Sequence, residues 1–275
     1  GNTPQLFLTE WGASDFRMLA FDALLLGYAS IALRGPFGRW CVAALLRHSA
    51  GVMVLTASWA QWLASQQLSA PRVDVLPNFV LVPDMPASAA CAGSGANNLV
   101  FLGRLEEAKG LSTLVEAFAL VTQAQPQARL LLGGEGDRAR YARQATELGV
   151  LDKVSFMGWV SGDAKQSLLQ SAAVFVLPSR FEGLPVSMLE AMSLAVPCVA
   201  TPVGGVPDIV TDGVNGCMVP VGQPAPLAAA LLRLLAEPDY RARLGRAARE
   251  TVVTRFSASA VEAQLAHLYA KAKRA

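Results

Sequence analysis

The chain has 275 residues, of which 53% are hydrophobic and 16% charged, with a formal net charge of +2. Such a composition buries a large core and excludes an intrinsically disordered chain. The length suits two compact domains, or one and part of another, and the small net charge gives no electrostatic case for nucleic acid as a partner.

The four cysteines, Cys41, Cys91, Cys198 and Cys217, show no CxxC spacing, and only His48 and His267 could join them. A zinc site is not expected. The thiols read as small buried side chains in a reducing compartment, hence a cytoplasmic location. No secretory signal is visible, but the first residue is Gly1, so this carries no weight.

In chain order, Leu6-Phe-Leu8 is a weak strand candidate. Met18 to Leu33 is apolar but short and interrupted by Asp22, which reads as a core or interfacial helix, not a membrane span. An apolar helical stretch ends at Arg47 and His48, and short strands are expected over Gly51 to Thr56 and Val73 to Leu76. Residues 83–97, with Pro83, Pro86, Gly93 and Gly95 among Ala and Ser, read as a linker. The expected organisation is therefore a first domain over 1–82, the linker over 83–97, a second domain over 98–256, and a C-terminal helix over 257–275 that packs back on the first domain.

Beyond the linker the pattern becomes regular. Apolar runs at Asn98–Leu102, Ala128–Leu132, Val154–Met157, Val174–Leu177 and Pro197–Ala200 alternate with helical patterns over 111–121, 137–148, 164–171 and 186–194. This is the signature of βαβ units: an α/β fold with a Rossmann-like, doubly wound parallel sheet. Such sheets bind ligands at the carboxyl ends of their strands, and the motifs fall just after strands.

The first motif, Gly103-Arg-Leu-Glu-Glu-Ala-Lys-Gly110, brings Arg104 and Lys109 to the start of a helix, an arrangement suited to a diphosphate. The second, Gly133-Gly-Glu-Gly136, can expose backbone N–H groups to an anion. It is not a G-x-G-x-x-G fingerprint, and no acidic residue stands where a nicotinamide dinucleotide would need one, so that cofactor is excluded. The third, Phe181-Glu-Gly-Leu-Pro-Val-Ser-Met-Leu-Glu190, places Glu182 in a loop and Glu190 on the following helix, with Pro185 at the helix start. The helix N-terminus around Leu184 to Ser187 suits an anion. One carboxylate could accept two hydrogen bonds from a vicinal diol such as a ribose, and the other could hold sugar hydroxyls. Each motif alone is compatible with an ordinary loop; in this order they point to a nucleotide and a sugar.

These motifs resemble those of the family 4 retaining glycosyltransferases of the two-domain GT-B fold. Gly103-Arg104 and Lys109-Gly110 resemble the basic pair after the first strand of the donor domain, Phe156-x-Gly158-x-Val160 the base loop, and Glu182 with Glu190 the paired glutamates. Gly204-Gly-Val-Pro-Asp-Ile-Val210 and Asp212-Gly-x-Asn-Gly216 match the next two elements, and the matches span residues 98 to 221. Upstream, Val54 to Ser58 and Val75 to Asn78 resemble the end of an acceptor-side α/β domain.

The resemblance implies roles. Arg104 and Lys109 neutralise the donor diphosphate and the charge that develops on it. Backbone around Gly103 and from Gly183 through Leu184 and Pro185 to Val186 assists. Glu190 holds the ribose, Glu182 the donor sugar, and backbone near Met157 and Gly158 reads the base. It implies a UDP- or GDP-type sugar donor and a sugar or lipid-linked acceptor, with no cofactor and no metal; no DxD motif stands at a strand end. It also implies a place in glycan or polysaccharide biosynthesis and a peripheral association with the inner face of a membrane.

The chain departs from the family upstream. About 80 residues precede the linker, against on the order of 150 for a whole domain, and no histidine occurs before His48, although Trp11-Gly-Ala-Ser resembles a remnant of the expected loop. The expectation is an N-terminally truncated or divergent enzyme. Two alternatives stay open: a nucleotide-sugar-binding fragment without transferase activity, and a sugar phosphorylase or sugar-phosphate synthase on the same scaffold.

Overall fold

The structure is a computed structural model that describes residues 18–20, 35–49, 51–68, 70–84 and 97–272. The Leu6–Leu8 strand candidate, Trp11, Cys91 and most of the expected linker lie outside these residues. The chain divides into two compact units, Gly1–Pro77 and Asn78–Ala275, a few residues upstream of the linker expected from composition. The reason is that the segment after Pro77 is tied to the C-terminal part of the chain. The Val80 N–H donates to the Phe256 carbonyl at 2.9 Å, and the Ala258 N–H donates to the Val80 carbonyl at 3.2 Å. The Arg249 guanidinium donates to the Pro83 carbonyl at 2.8 Å.

In the first unit, β1 (Met18–Ala20), α1 (Pro36–His48), β2 (Gly51–Val54), α2 (Ala57–Ser65) and β3 (Val73–Val75) form a small α/β layer with a parallel sheet of order β1-β2-β3. Leu46, Val52, Val54, Trp59, Leu63 and Leu68 make its core. Two expectations are corrected here. Met18–Ala20 is a strand beside Gly51–Met53, not the start of a helix, because a short apolar run reads either way until a partner strand is supplied. Strand β2 stops at Val54, because Thr56 is the N-cap of α2 and its hydroxyl accepts the Trp59 N–H at 3.2 Å.

The second unit runs β4 (Asn98–Leu102), α3 (Leu111–Ala124), β5 (Arg129–Gly133), α4 (Arg138–Glu147), β6 (Val154–Gly158), α5 (Gly162–Gln170), β7 (Val174–Leu177), α6 (Val186–Ser193), β8 (Cys198–Ala200), α7 (Val206–Ile209), β9 (Cys217–Met218), α8 (Pro224–Ala236), α9 (Pro238–Arg255) and α10 (Ala258–Ala272). Its sheet is parallel throughout, in the order β6-β5-β4-β7-β8-β9. Helix α3 packs against α4 and α8, while α6 packs against α5 and α9, so two helical layers enclose the sheet. That enclosure explains the continuous apolar runs. Leu99, Val100 and Phe101 of β4 and Val174, Phe175 and Val176 of β7 are completely buried, whereas Met157 on the edge strand β6 is half exposed.

Strand order reverses between β4 and β7, and a doubly wound sheet opens its ligand crevice at such a point. Among the described residues no helix is long and apolar enough to cross a membrane.

The Asp212–Gly216 motif is structural. Buried Asn215 accepts the Thr211 N–H at 2.7 Å and donates to the Ile209 carbonyl at 2.9 Å and the Thr251 hydroxyl at 3.0 Å, stitching the turn to α9. Asn215→Ala leaves these groups without their partner, and is expected to cost about 2–3 kcal/mol. Urea unfolding should show a lower midpoint at unchanged slope; a loss below about 0.5 kcal/mol, the scale of an ordinary surface change, would refute the role.

Candidate functional site

A cleft of about 690 Å³ opens at the carboxyl ends of β4, β5 and β6 and at the starts of α5 and α6, within the usual size of small-molecule sites. Leu102, Gly103 and Arg104 line it after β4, and Gly133 to Gly136 after β5. Trp159, Val160, Ser161 and Lys165 line it after β6, and Val186, Ser187 and Glu190 come from α6. The first turn of α6 therefore borders the cleft, bringing the positive end of that helix to it. The Ser187 hydroxyl donates to the Leu102 carbonyl at 3.1 Å and fixes this turn to the end of β4. Trp159 is 74% exposed and offers an aromatic face at the rim.

The charged groups of the cleft differ in their commitments. The Arg104 side chain is 81% exposed, and its nearest acid, Glu106, stands 3.5 Å away, a surface contact of little energetic weight. The Glu190 carboxylate is met by the Lys165 ammonium at 2.5 Å, both side chains being partly buried.

Glu182 and Lys109 belong to a second cluster. Glu182 is buried, and one of its carboxylate oxygens accepts from Lys109 Nζ at 2.8 Å and from the Ser179 hydroxyl at 2.6 Å. Its loop is held by backbone: the Gly205 N–H donates to the Gly183 carbonyl at 2.8 Å, and the Arg180 N–H to the Ala108 carbonyl at 2.9 Å. Gly204 has φ of +55°, and a Cβ there would lie 1.6 Å from the Glu182 carbonyl oxygen, so only glycine fits. The Gly204–Val210 motif thus supports the Glu182 loop.

Glu107 anchors the same region. It accepts from the Ser112 hydroxyl at 2.6 Å, Arg180 at 3.1 Å and Arg140 at 3.2 Å. The Ser112 hydrogen bond, aided by the two guanidinium groups, holds its carboxyl below the usual range against the opposing effect of burial.

Of the residues singled out from sequence, Gly103, Arg104, Val186 and Glu190 line the cleft. Lys109 and Glu182 are paired with one another and are not among the residues that line this cleft, whereas Arg104 is. Met157, Gly158, Gly183, Leu184 and Pro185 are not among the lining residues either. Pro185 is the N-cap of α6, and Leu184 is buried with its carbonyl accepting from the Asn78 amide at 3.3 Å. The glycine loop after β5 also has another reason to exist. The Gly134 N–H donates to the Gly158 carbonyl at 2.7 Å, so it is not presented to an anion. A Cβ on Gly134, whose φ is +135°, would lie 1.9 Å from the Gly103 carbonyl oxygen.

Sequence reasoning missed Lys165, Ser179 and Ser161. Ser179 had a signal, standing just after a strand and three residues before Glu182. Lys165 had none beyond its place in the first turn of α5. Among the described residues, no group of three or more His, Cys, Asp or Glu side chains could hold a metal ion.

Comparison with known proteins bears on this geometry. The family model described as glycosyl transferases group 1 matches residues 92–251. The chain is 29% identical over 245 residues to an alpha-D-kanosaminyltransferase of Streptomyces kanamyceticus, covering 85% of this chain and 64% of that protein. It is similar to the structure of a sucrose-phosphate synthase from Thermosynechococcus elongatus, with TM-score 0.78, 26% identity, and coverage of 92% and 67% of the two chains. The structure of Anabaena Alr3699/HepE in complex with UDP and glucose shares the fold with TM-score 0.77 at 20% identity, covering 92% and 71%. The chain spans only 44% to 64% of the length of the curated relatives it matches.

The two cations after β4 should differ in what they do for stability. Lys109→Ala strips a carboxylate whose side chain is only 8% exposed of its cation, and is expected to cost about 2–3 kcal/mol. Arg104→Ala removes an exposed group and should cost under about 0.5 kcal/mol. Chemical denaturation of both variants reads the difference, and equal losses would show that the Lys109–Glu182 pair is no stronger than a surface contact.

Proposed function

The chain belongs to the glycosyl transferases group 1 family, and from that premise we propose that it is a retaining glycosyltransferase of family 4 that takes its sugar from a nucleoside-diphosphate donor. The observation that carries the reading is the convergence in one cleft of an exposed guanidinium, a helix N-terminus and a carboxylate, at the switch point of a parallel sheet. A diphosphate is matched by Arg104 and the first turn of α6. A ribose diol is matched by Glu190, whose two oxygens can each accept a hydroxyl. The base lies toward the Met157–Trp159 segment, with the Trp159 ring as a stacking face.

In this proposal Glu182, pinned by Lys109 and Ser179, holds hydroxyls of the transferred sugar. The acceptor hydroxyl oxygen bonds to the anomeric carbon on the face from which the phosphate oxygen departs. The carbon–phosphate oxygen bond breaks, and the acceptor's proton passes to the leaving phosphate oxygen. Arg104, Lys109 and the α6 N-terminus stabilise the charge that develops there, the electrostatic help a metal would otherwise give. A sugar or lipid-linked acceptor, a cytoplasmic location and peripheral contact with a membrane belong to the same proposal. The similarity to a sucrose-phosphate synthase makes a sugar-phosphate synthase the alternative to test.

UDP is the first nucleotide to test, being the ligand of the Anabaena structure that shares the fold. Transfer of radiolabelled sugar from UDP- and GDP-sugars, with the product anomer read by NMR, is expected to show retention and to survive EDTA. An inverted product, or activity lost to EDTA and restored by magnesium or manganese, would overturn the reading; dependence on inorganic phosphate would mark a phosphorylase. Arg104→Ala should weaken UDP binding by about 1.5–3 kcal/mol, the cost of a charge-assisted contact, and unchanged calorimetric affinity would remove Arg104 from the site.

A further inference from the structure

Lys165 stands in the cleft without a role in the proposed chemistry. It is the fourth residue of α5 and comes seven residues after Gly158, and the intervening Trp159, Val160 and Ser161 line the cleft, so the segment that borders its base end runs into α5. Its ammonium donates to Glu190 Oε1 at 2.5 Å. Glu190 lies on α6, which packs against α5, and both residues line the same cavity. The side chains retain 32% and 25% exposure, so the contact sits at the cavity wall, where a ligand reaches it.

We infer that Lys165 is the positioning residue for Glu190, setting the carboxylate for a vicinal diol and so coupling recognition of the base to recognition of the ribose. This rests on the reading that Glu190 holds the ribose. A carboxylate on a flexible glutamate stem samples several rotamers, and freezing that motion costs free energy on binding. An ammonium at hydrogen-bond distance from Oε1 removes much of the cost beforehand. It occupies one acceptor position and leaves Oε2 and a second lone pair of Oε1 for two hydroxyls. Lysine suits this task because it carries donors only and cannot compete for those hydroxyls as an acceptor. The effect should appear in binding of the ribose and not of the phosphates.

The test is calorimetric binding of UDP, 3′-deoxy-UDP and inorganic diphosphate to the wild-type chain and to Lys165→Ala, Lys165→Arg and Glu190→Gln. Lys165→Ala is expected to weaken UDP about fivefold to tenfold, the low end for a charge-assisted hydrogen bond that keeps some access to water. It should bring the UDP to 3′-deoxy-UDP affinity ratio close to one while leaving inorganic diphosphate unchanged. Lys165→Arg, which restores a cationic donor, should recover most of that ratio. Should alanine disturb folding, as judged by the thermal melt, Lys165→Met keeps the packing of the stem and removes only the charge. Equal losses for UDP and diphosphate would overturn the inference by making Lys165 a phosphate contact or a structural element. A ratio that stays at its wild-type value in Lys165→Ala would also overturn it. Glu190→Gln separates the two levels: a ratio unmoved there removes the ribose reading itself, whereas a ratio abolished there but kept in Lys165→Ala removes only the positioning role.

Discussion

A carboxylate with almost no access to water must be met by donors, and the loops at the carboxyl edge of the second unit's sheet are arranged around that requirement at Glu182. Lys109 arrives from the turn after β4, Ser179 from the end of β7, and Gly204, after β8, leaves room for the Glu182 carbonyl. Removing a charge from water costs several kcal/mol, and close, hydrogen-bonded partners are what recover it. Backbone bonds reinforce the convergence, Arg180 to Ala108 and Gly205 to Gly183, and Glu107 binds the neighbouring Arg180 and Arg140 from outside. Segments that lie between residues 108 and 205 of the chain are thereby held together. This is why a strand-end glycine-arginine motif, a glutamate loop and a second glycine motif occur together.

The α/β alternation was legible because β4 and β7 are covered on both faces, so their apolar runs are unbroken and bounded by loops. Asn98–Leu102 and Val174–Leu177 were read to the residue. Where a strand is short the reading failed. Cys217–Met218 is a two-residue strand with no pattern to detect, and Met18–Ala20 takes its identity from β2, which lies far along the chain. In the candidate site, residues attached to strand ends were found because topology tells where such ends point. Lys165 was not, since a lysine early in a helix reads as solvated; its meaning comes from Glu190, on a neighbouring helix. The glycines after β5 were noticed for a different reason from the one the structure supplies, which is the approach of two backbones.

The two lysine–glutamate pairs have the same chemistry and different surroundings, and the difference decides what each can do. Two unit charges about 4 Å apart attract by about 1 kcal/mol in water and about 4 kcal/mol at the effective dielectric of a protein's outer layers. The Glu182 carboxylate, 8% exposed, lies toward the stronger limit and has a second donor in Ser179. Such a pair is costly to disturb. The Glu190–Lys165 pair, a quarter to a third exposed, lies toward the weaker one. It is the weaker of the two pairs and the more easily rearranged. A site for a nucleotide sugar needs both behaviours. The part that meets the reacting sugar must hold its shape, because misplacement by about 1 Å can cost on the order of a hundredfold in rate. The part that grips the nucleotide must also release it after each transfer. In the proposed site these two tasks would fall to the more buried Glu182 and the more exposed Glu190, eight positions apart in the sequence.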